Sequence, residues 1–281
     1  MSKLNGMEEN ARVKGDLRFA FGKNWSSFLA FVNEVSLEEA TRSITNALRQ
    51  NDLANLAFLD IGCGSGLFSL AARRLGAVVR SFDFDVDSVR CTEQLKEQYY
   101  PHDPDWIIER GSVLDADYVK RLGLFDVVYA WGVLHHTGDL RRALGYVASF
   151  VRPGGHLIIS IYNDQGHWSK IWLWIKRTYN RLPGFLRLPF MLAVMMPREL
   201  RSLVFSLVTL RPTRYLKTWF NYRQLRGMSK WHDLVDWVGG YPFEVAKPEE
   251  IVFYFKDRGF ELVGMTTCAG EIGCNEYVFR L

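Results

Sequence analysis

The sequence predicts an α/β protein in which a mainly parallel, doubly wound sheet is flanked by helices. Short apolar segments that suit buried strands alternate with longer segments in which apolar residues recur at helical spacing. This alternation is typical of parallel sheets whose ligands bind at the carboxyl ends of the strands. Gly62, Gly64 and Gly66 follow the first apolar segment, where such a ligand would approach the backbone. The predicted strands are 57–61, 77–82, 106–110, 125–131 and 156–162.

The first predicted strand leads into the glycine loop through an acidic residue. Asp60 stands two positions before Gly62, and the glycines are spaced G-x-G-x-G, whereas a dinucleotide-binding fingerprint is spaced G-x-G-x-x-G. A carboxylate here would repel a pyrophosphate and would attract a cationic ammonium group. A helical pattern over 67–75 follows, and its first backbone N–H groups would face the ligand.

The second predicted strand also ends in an acidic residue. Asp83 lies twenty-one residues beyond Gly62, close to the distance at which an acidic residue binds ribose hydroxyls in nucleotide-binding sheets. We interpret Asp85 and Asp87, which follow it, as solvated loop carboxylates. The ends of the first two strands are therefore predicted to hold a nucleoside.

These motifs, followed in order by 111–115 and by the turn at 152–155, resemble those of class I S-adenosylmethionine (SAM) methyltransferases. The resemblance is close over 57–163 and weaker over the last thirty-five residues, and it points to the broad group of ubiquinone-biosynthesis-type methylases. It implies a Rossmann-like sheet of seven strands, the last two of which, 261–265 and 275–280, run antiparallel. It also implies SAM as the cofactor and S-adenosylhomocysteine as its product.

The resemblance assigns the cofactor contacts. Asp60 would face the methionine end of SAM, Asp83 would bind the ribose, and an apolar residue after the third strand would pack on the adenine. Ser112 stands where the family commonly has an aspartate, so Asp115 is an alternative polar contact. The residues expected to contact SAM are Asp60, Gly62, Cys63, Gly64, Gly66, Asp83, Phe84, Ser112, Val113, Leu114 and Trp131.

The chain divides into four predicted parts. They are an N-terminal helical arm at 1–56, the cofactor domain at 57–163, an insertion that caps it at 164–246, and a C-terminal part at 247–281. In the arm, Ser36 and Glu39 are expected to form a capping box that opens a helix over 36–49. The C-terminal part contains a predicted helix over 248–258, followed by the last two strands.

The insertion differs from the rest of the chain in charge. It contains thirteen Lys or Arg and five Asp or Glu, while the remainder contains twenty-two and twenty-six, so the insertion carries the whole positive excess. Four of its prolines, Pro183, Pro189, Pro197 and Pro212, predict several short helices. Three interpretations are open: a helical lid with solvated arginines, a surface for an amphipathic or membrane-embedded substrate, and a nucleic-acid surface. A pI of about 8.8 does not require the last.

Composition bounds the class of protein. The chain has 281 residues, of which 48% are hydrophobic, enough for one large core or for a domain with a cap. None of the four cysteines (Cys63, Cys91, Cys268, Cys274) lies in a C-x-x-C motif, so neither a zinc site nor a disulfide framework is predicted, and a reducing, cytoplasmic compartment is expected. The polar, charged N-terminus is not expected to be a secretory signal, and no apolar run approaches the roughly 20 residues of a membrane span.

The residues after the fourth strand limit the kinds of methyl acceptor that the sequence predicts. Enzymes that methylate exocyclic base amines carry an Asn/Asp-Pro-Pro-aromatic signature there, where this chain has Ala-Trp-Gly-Val at 130–133, and no cysteine nucleophile for base C5 methylation lies nearby. His135 and His136 follow instead, at the edge where a methyl acceptor would lie. Histidine suits proton removal from a hydroxyl, and His136 is the first candidate. Alternatively, the pair packs at the strand end and caps the next helix.

A second polar cluster lies at 226–244. His232 and Asp233 are further candidates for proton transfer, and Asp236 lies on the same helical face as Asp233. Aromatic residues beside carboxylates suit a polar, ring-shaped or sugar-like acceptor. A capped surface helix and a metal site are the alternatives, and no metal ion is expected. The residues expected to contact the acceptor are Trp25, Tyr162, Asn163, Trp231, Asp236, Trp237 and Tyr241.

The sequence therefore predicts a SAM-dependent methyltransferase that acts on a hydroxyl of a small molecule, such as a secondary metabolite, a sugar or a quinone-like ring. The alternatives are RNA modification, methylation of an amphipathic lipid-like acceptor, and a non-catalytic SAM-binding role. A membrane-surface contact through the basic insertion is a variant of the main prediction. Nucleic acid is disfavoured as a partner, and no oligomeric state is predicted.

Overall fold

Seven strands form one sheet at the centre of the protein. The structure is a computed structural model that describes residues 18–19, 32–209, 213, 215 and 230–281, and of residues 230, 232 and 233 it describes the backbone alone. The strands are β1 (Ala57–Ile61), β2 (Val78–Asp83), β3 (Trp106–Arg110), β4 (Phe125–Ala130), β5 (Val151–Tyr162), β6 (Glu261–Thr266) and β7 (Cys274–Arg280). Their order is β3-β2-β1-β4-β5-β7-β6.

The helices of the described residues alternate with these strands over most of the chain. They are α1 (Glu34–Leu48), α2 (Leu67–Arg74), α3 (Val86–Tyr99), α4 (Ala116–Val119), α5 (Leu140–Ser149), α6 (His167–Arg181), α7 (Gly184–Val208), α8 (Lys230–Gly239) and α9 (Pro248–Lys256). A single 3-10 turn, Leu134–His136, lies between β4 and α5.

The strand pairing confirms the predicted fold class. β1, β2, β3, β4 and β5 pair in parallel, whereas β7 pairs antiparallel with both β5 and β6. The chain builds outward from β1 toward β3 and then returns to place β4 on the other side of β1. In doubly wound sheets this reversal opens a crevice at the carboxyl ends of the strands.

Apolar side chains cover both faces of the sheet. Phe58 and Leu59 are both fully buried, and they point to opposite faces because successive side chains of a strand alternate. Phe58 packs in the cluster that includes residues of α1, α2 and α3, and Leu59 packs in the cluster that includes residues of α4, α5 and α9. Burial on both faces explains why the parallel strands read as continuous apolar runs.

The predicted capping box of α1 is wrong by one turn. The helix starts at Glu34, and Asn33 is its N-cap. The side chain of Asn33 accepts a hydrogen bond from the backbone N–H of Ser36 at 3.0 Å, while the hydroxyl of Ser36 accepts one from the backbone N–H of Asn33 at 3.0 Å. Ser36 is thus the third residue of the helix. The N-cap position predicted for Ser36 is taken by Asn33, whose side chain also has the oxygen that an N-cap needs.

The predicted division of the insertion by its prolines is also wrong in part. Pro183 ends one helix and caps the next, as expected, but Pro189 and Pro197 both lie inside the continuous helix α7. A proline leaves the carbonyl four residues earlier without its helical partner. Those carbonyls belong to Phe185 and Ala193, which are exposed, so water can satisfy them. Pro212 lies outside the described residues.

The fifth strand is longer than predicted, since it begins at Val151 and includes the expected turn at 152–155. Its pairing with β4 shifts register between Phe125 and Val127, as a bulge would cause. Gly154 there has a φ of +83°, and its N–H donates to the carbonyl of Leu281 at 2.7 Å. The extra residues therefore dock the end of the chain.

Helices α6, α7 and α8 pack on one another through a small apolar cluster of their own. Tyr179 of α6, Met191 and Met195 of α7, and Leu234 and Val238 of α8 form its buried centre. Among the helices in the described part of the chain, none combines the length and the apolar character that a membrane-spanning segment requires.

Candidate cofactor and acceptor site

The glycine loop between β1 and α2 turns back over the end of β2. The N–H groups of Gly62 and Cys63 donate to the carbonyl of Phe82, at 2.8 and 3.2 Å. Gly62, Gly64 and Gly66 have φ values of 71°, 56° and 80°, which L side chains rarely adopt. Gly66 is the N-cap of α2 and has no side chain to cap it, so the first N–H groups of this helix are available to other partners.

Packing also requires two of these glycines. A Cβ atom on Gly62 would lie 2.5 Å from both γ-carbons of Val133, and one on Gly66 would lie 2.8 Å from Cγ2 of Thr92. Separations under 3.0 Å are essentially never seen for real Cβ atoms. The loop is thus held between α3 and the segment after β4, which brings the ends of β1, β2 and β4 together.

The carboxylate of Asp83 lies at the mouth of the loop. One oxygen accepts a hydrogen bond from the N–H of Gly64 at 3.0 Å, and the other accepts one from the N–H of Asp85 at 2.8 Å. Desolvation raises the pKa of Asp83 from 3.8 to about 6, although these hydrogen bonds oppose the rise. The backbone of Phe84 is hydrogen-bonded to this carboxylate as well. A carboxylate has about four lone-pair sites, so at least one remains to accept from a ribose hydroxyl, and the geometry suits the predicted role.

Asp60 lies beneath the loop and is 3% exposed. Its Oδ2 accepts a hydrogen bond from Oγ of Ser69 at 2.5 Å, and the backbone N–H of Ser69, in the first turn of α2, also lowers its pKa. Desolvation is the larger effect, and with the nearby charge of Asp83 it raises the pKa of Asp60 from 3.8 to about 7. Near neutral pH this carboxyl is therefore divided between its charged and neutral forms.

A chain of hydrogen bonds runs from Asp60 across the buried face of β2. The hydroxyls of Ser69 and Ser81 are 2.7 Å apart, and Nε1 of Trp106 donates to Oγ of Ser81 at 2.9 Å. An indole N–H can only donate. Because Ser69 gives its proton to Asp60, the hydroxyl of Ser81 must donate to Ser69. Three residues from β2, β3 and α2 thus direct a proton toward one oxygen of Asp60.

Other predicted cofactor contacts lie along the same edge. Phe84 follows β2 and is 48% exposed, and Trp131 follows β4 and is 41% exposed. The guanidinium of Arg18 lies 4.9 Å from the ring centre of Phe84 and donates to the carbonyl of Thr137 at 2.9 Å. Cys63 is buried, and burial raises the pKa of its thiol well above the usual range, so the thiol is protonated at neutral pH.

The predicted adenine contacts follow β3. Val113 is buried, and the N–H of Leu114 donates to Oγ of Ser112 at 3.2 Å. The alternative polar contact, Asp115, is the N-cap of α4, and its Oδ1 accepts from the N–H groups of Asp117 and Tyr118 at 3.0 and 3.2 Å. Helix capping explains the aspartate at this position.

His135 is buried at the carboxyl ends of β4 and β5, 1% exposed. Its ring is hydrogen-bonded to the backbone of Ser160, while its Nδ1 has no hydrogen-bond partner within the described part of the chain. Nε2 must therefore carry the proton, and Nδ1 carries the lone pair. Burial holds the pKa of His135 well below its usual range, so the imidazole is neutral.

His136 is half-buried beside it, with the two ring centres 4.5 Å apart. Its Nδ1 lies 2.6 Å from the carbonyl oxygen of Pro242. A carbonyl can only accept, so Nδ1 carries the proton and the lone pair is on Nε2. Desolvation lowers the pKa of His136 from 6.5 to about 3, while the bond to Pro242 raises it.

The cap places a buried lysine against these histidines. Lys176 of α6 is fully buried and donates a hydrogen bond to the carbonyl of Trp237. Its ammonium nitrogen lies 5.9, 5.1 and 4.9 Å from the ring centres of Tyr162, Trp237 and Phe243. Desolvation lowers its pKa from 10.5 to about 7, although the charge of Asp236 opposes this.

Aromatic rings join these groups into one cluster, which we call the acceptor corner: His135, His136, Tyr162, Lys176, Trp237 and Phe243. The ring of Tyr162 lies 3.9 Å from that of His135 and 5.5 Å from that of Trp237, measured between ring centres. Nε1 of Trp237 is buried and has no hydrogen-bond partner in the described residues. Buried polar atoms are normally hydrogen-bonded, so this N–H suits a contact with a polar group of an acceptor.

Sequence reasoning missed Lys176, and it included Pro242, Phe243 and Glu244 in the cluster at 226–244 without assigning them a role. The carboxylate of Glu244 accepts hydrogen bonds from the N–H groups of Gly138 and Leu140, each at 3.0 Å, and so holds the segment between His136 and α5. No local motif marks these residues, because each acts on a part of the chain more than fifty positions away.

Only some of the predicted acceptor contacts come together. Tyr162 and Trp237 lie in the acceptor corner, but the amide of Asn163 is turned to the β6–β7 hairpin, where its Oδ1 accepts from Asn275 at 3.1 Å. Trp231 is 41% exposed, and the hydroxyl of Tyr241 accepts from Arg177 at 3.4 Å. Asp236 lies near Lys176. Trp25 and the side chains of His232 and Asp233 lie outside the described residues.

In residues 18–19, 32–209, 213, 215 and 230–281, no three His, Cys, Asp or Glu side chains come close enough together to hold an ion.

The fold and the site define a SAM-dependent methyltransferase of the doubly wound class. Residues 34–234 match the model of the family described as "Methyltransferase domain", so the chain belongs to that family, whose cofactor is SAM. The glycine loop, the half-buried carboxylate of Asp83 and the buried carboxyl of Asp60 fit the nucleoside and the cationic end of this cofactor.

Curated relatives share part of the chain. A ubiquinone biosynthesis O-methyltransferase of Cupriavidus pinatubonensis is 30% identical over 118 residues, 40% of this chain and 43% of the relative. One of Nitrobacter winogradskyi is 32% identical over 136 residues, 48% of each. The chain thus spans about half the length of the curated relatives it matches. Among solved structures, the magnesium protoporphyrin IX methyltransferase of Synechocystis PCC 6803 has a TM-score of 0.50 at 15% identity, covering 98% of this chain and 94% of that one, which supports the fold.

Proposed function

We propose that this protein transfers the methyl group of SAM to a hydroxyl oxygen of a small, ring-containing molecule. The acceptor corner is the observation that carries the proposal, because it sets two neutral imidazoles beside aromatic rings at the edge of the cofactor crevice. Rings with a few polar groups are typical of small-molecule sites. The names of the curated relatives also support an oxygen acceptor, and this chain matches about half of the length of those relatives.

When bound, SAM supplies a methyl group that is already activated by a good leaving group. The protein must therefore align the acceptor oxygen and remove its proton. Nε2 of His136 accepts a hydrogen bond from the acceptor hydroxyl and so directs an oxygen lone pair toward the crevice. An oxygen that has taken up a methyl group becomes a strongly acidic oxonium. An imidazole with a pKa of about 3 is basic enough to take that proton.

The position of the glycine loop and of Asp83 supports a donor site at the ends of β1 and β2. The loop faces the ends of β1 and β2, while the acceptor corner lies at the ends of β4 and β5. The two sites are thus on one edge of the sheet, as methyl transfer between bound molecules requires.

The proposal is tested with labelled SAM and a panel of matched acceptors. Phenols, hydroxylated quinone-like rings and sugars are each compared with the analogue in which the hydroxyl is replaced by an amine. We expect label in an ether product with ring hydroxyls, identified by mass spectrometry. Transfer only to amines, or only to a transfer RNA, would overturn the proposal. SAM binding without turnover on any member would instead favour a non-catalytic role.

A further inference from the structure

The outer side of α7 exposes a continuous apolar stripe. Of twenty-four large hydrophobic side chains exposed in the described residues, twelve lie on α6 and α7. Seven of those on α7 follow one another at spacings of three or four residues, and they are 39% to 78% exposed. Residues at this spacing are neighbours on a helix surface. They are Phe185, Leu188, Leu192, Met196, Leu200, Val204 and Val208.

Packing among the described residues does not account for this stripe. The side of α7 that faces the apolar cluster shared with α6 and α8 is formed by Met191 and Met195, which are buried. The helix is therefore apolar both toward the protein and toward solvent. Near its C-terminal end the stripe forms a shallow groove, lined by Pro197, Leu200, Arg201, Val204, Phe205 and Val208. Contiguous exposed apolar surface of this kind marks a site of association.

Basic residues flank the apolar surface. Residues 167–208 contain seven Lys or Arg and a single acidic residue, Glu199. On α6, Lys170, Arg177 and Arg181 are exposed around Trp174, which is 62% exposed, at spacings of three and four residues. On α7, Arg198 and Arg201 are exposed beside the stripe.

We propose that the outer sides of α6 and α7 dock on an anionic lipid bilayer, with α7 lying in the plane of the interface. The apolar stripe and Trp174 would enter the boundary between head groups and acyl chains, and the arginines would pair with lipid phosphates. The charge argues against a second copy as the occupant, because two equally basic faces repel. The length of the apolar stripe argues against RNA, whose backbone offers charge but little apolar surface.

This inference does not depend on which acceptor is methylated. An interfacial cap would nevertheless bring the acceptor corner close to a membrane, since α6 carries both Lys176 on its buried side and Trp174 on its exposed side. An acceptor that partitions into the bilayer would then reach the site without crossing bulk water.

The test is co-sedimentation of the full chain with vesicles of phosphatidylcholine, alone or mixed with phosphatidylglycerol. We expect binding to the mixed vesicles only, weakened by salt. Leu200→Glu with Val204→Glu should abolish it, because both side chains line the groove. Arg198→Gln with Arg201→Gln should weaken it about fivefold for each arginine removed.

Matched controls carry the same changes elsewhere. Val35 of α1 and Phe253 of α9 are each 58% exposed, and Val35→Glu with Phe253→Glu should leave vesicle binding unchanged. Arg141→Gln with Arg142→Gln on α5 should do the same. No binding to either vesicle would overturn the proposal, as would a dimer that Leu200→Glu dissociates. Binding to RNA that is salt-sensitive but unaffected by Leu200→Glu with Val204→Glu would overturn it as well.

Discussion

The ammonium group of Lys176 donates a hydrogen bond to the backbone carbonyl of Trp237, near the C-terminus of α8. One helical turn further along α6, the amide of Asn180 donates to the carbonyl of Gly239 at 2.6 Å. The last carbonyls of a helix have no partner within it, and a cation is favoured beside them. Two side chains of α6 thus cap α8 and join the cap to the acceptor corner.

This arrangement predicts a pH-dependent stability. The pKa of Lys176 is about 7 in the folded protein and 10.5 in the reference state, so between these values the unfolded chain binds more protons. The free energy of unfolding therefore rises with pH across this window, by at most about 1.4 kcal/mol per pH unit from this group. We expect Lys176→Met to remove that rise, measured by urea unfolding at several pH values above 7.

Lys170→Met is the control, because Lys170 is exposed on the same helix. It should retain the pH dependence of the wild-type protein. If the free energy of unfolding rises with pH equally in Lys176→Met and in the wild type, the amine of Lys176 is solvated in the folded protein.

A second prediction concerns the glycine loop. Gly62→Ala combines a positive φ with a Cβ atom 2.5 Å from Val133, so the loop must move. We expect SAM affinity, measured by calorimetry, to fall about 100-fold, which corresponds to about 3 kcal/mol. Gly154→Ala imposes a similar φ, +83°, with no atom within 4 Å of the new Cβ. It should lower stability by about 1 kcal/mol and leave SAM affinity intact. If both variants bind SAM normally, the loop does not approach the cofactor.

The hydrogen bonds below the loop predict a pH profile for SAM binding. The hydroxyl of Ser69 lowers the pKa of Asp60, which is about 7. If the charged carboxylate attracts the cationic cofactor, affinity should rise as the pH passes through this value. Ser69→Ala removes the hydroxyl, so the pKa of Asp60 should rise and the profile should move to higher pH. Calorimetry across neutral pH measures the midpoint. Ser88→Ala, also buried, should leave the midpoint in place, and an unmoved midpoint in Ser69→Ala would exclude control by this hydroxyl.

The cofactor side of the site could be predicted because its parts are local. Asp60 and Gly62 are two residues apart, and Asp83 follows at the end of the next strand, so the hydrophobic pattern that defines the strands also places these residues. Parallel strands end on one edge, and the motifs therefore meet without any further information. The five parallel strands were predictable for the same reason, whereas the antiparallel pair at the C-terminus was implied by the resemblance to SAM methyltransferases.

The acceptor side could not be predicted because its contacts are long-range. Lys176 meets Trp237 across 61 residues and His136 meets Pro242 across 106. In the sequence, Lys176 is one of several cations on a helix, and only the packing of α6 on α8 shows that it alone is buried. The wrong prediction of helix ends at Pro189 and Pro197 has a different cause. A helix tolerates the backbone carbonyls that its prolines leave unpaired when those carbonyls are exposed to water, and this exposure depends on the fold.

His136 gives the most direct test of the proposed chemistry. His136→Asn keeps an N–H near the position of Nδ1, which can still donate to Pro242, but removes the lone pair of Nε2. With the acceptor identified by the labelled-SAM panel, we expect kcat to fall by about 10²–10⁴ and SAM affinity to be unchanged.

The pH dependence of kcat distinguishes His136 from a histidine with an unperturbed pKa. Burial holds the pKa of His136 at about 3, and the reaction needs the neutral imidazole, which is fully present at every pH well above that value. At saturating SAM, kcat should therefore not decline as the pH falls from 8 to about 5, whereas an unperturbed histidine with a pKa of about 6.5 would lose activity there. His156→Asn is the control. His156 is half-buried on β5, six residues and about 20 Å of strand from Tyr162, so kcat should be unaffected. A decline near pH 6.5 that His136→Asn abolishes would show that the imidazole is solvated and that burial does not set its role.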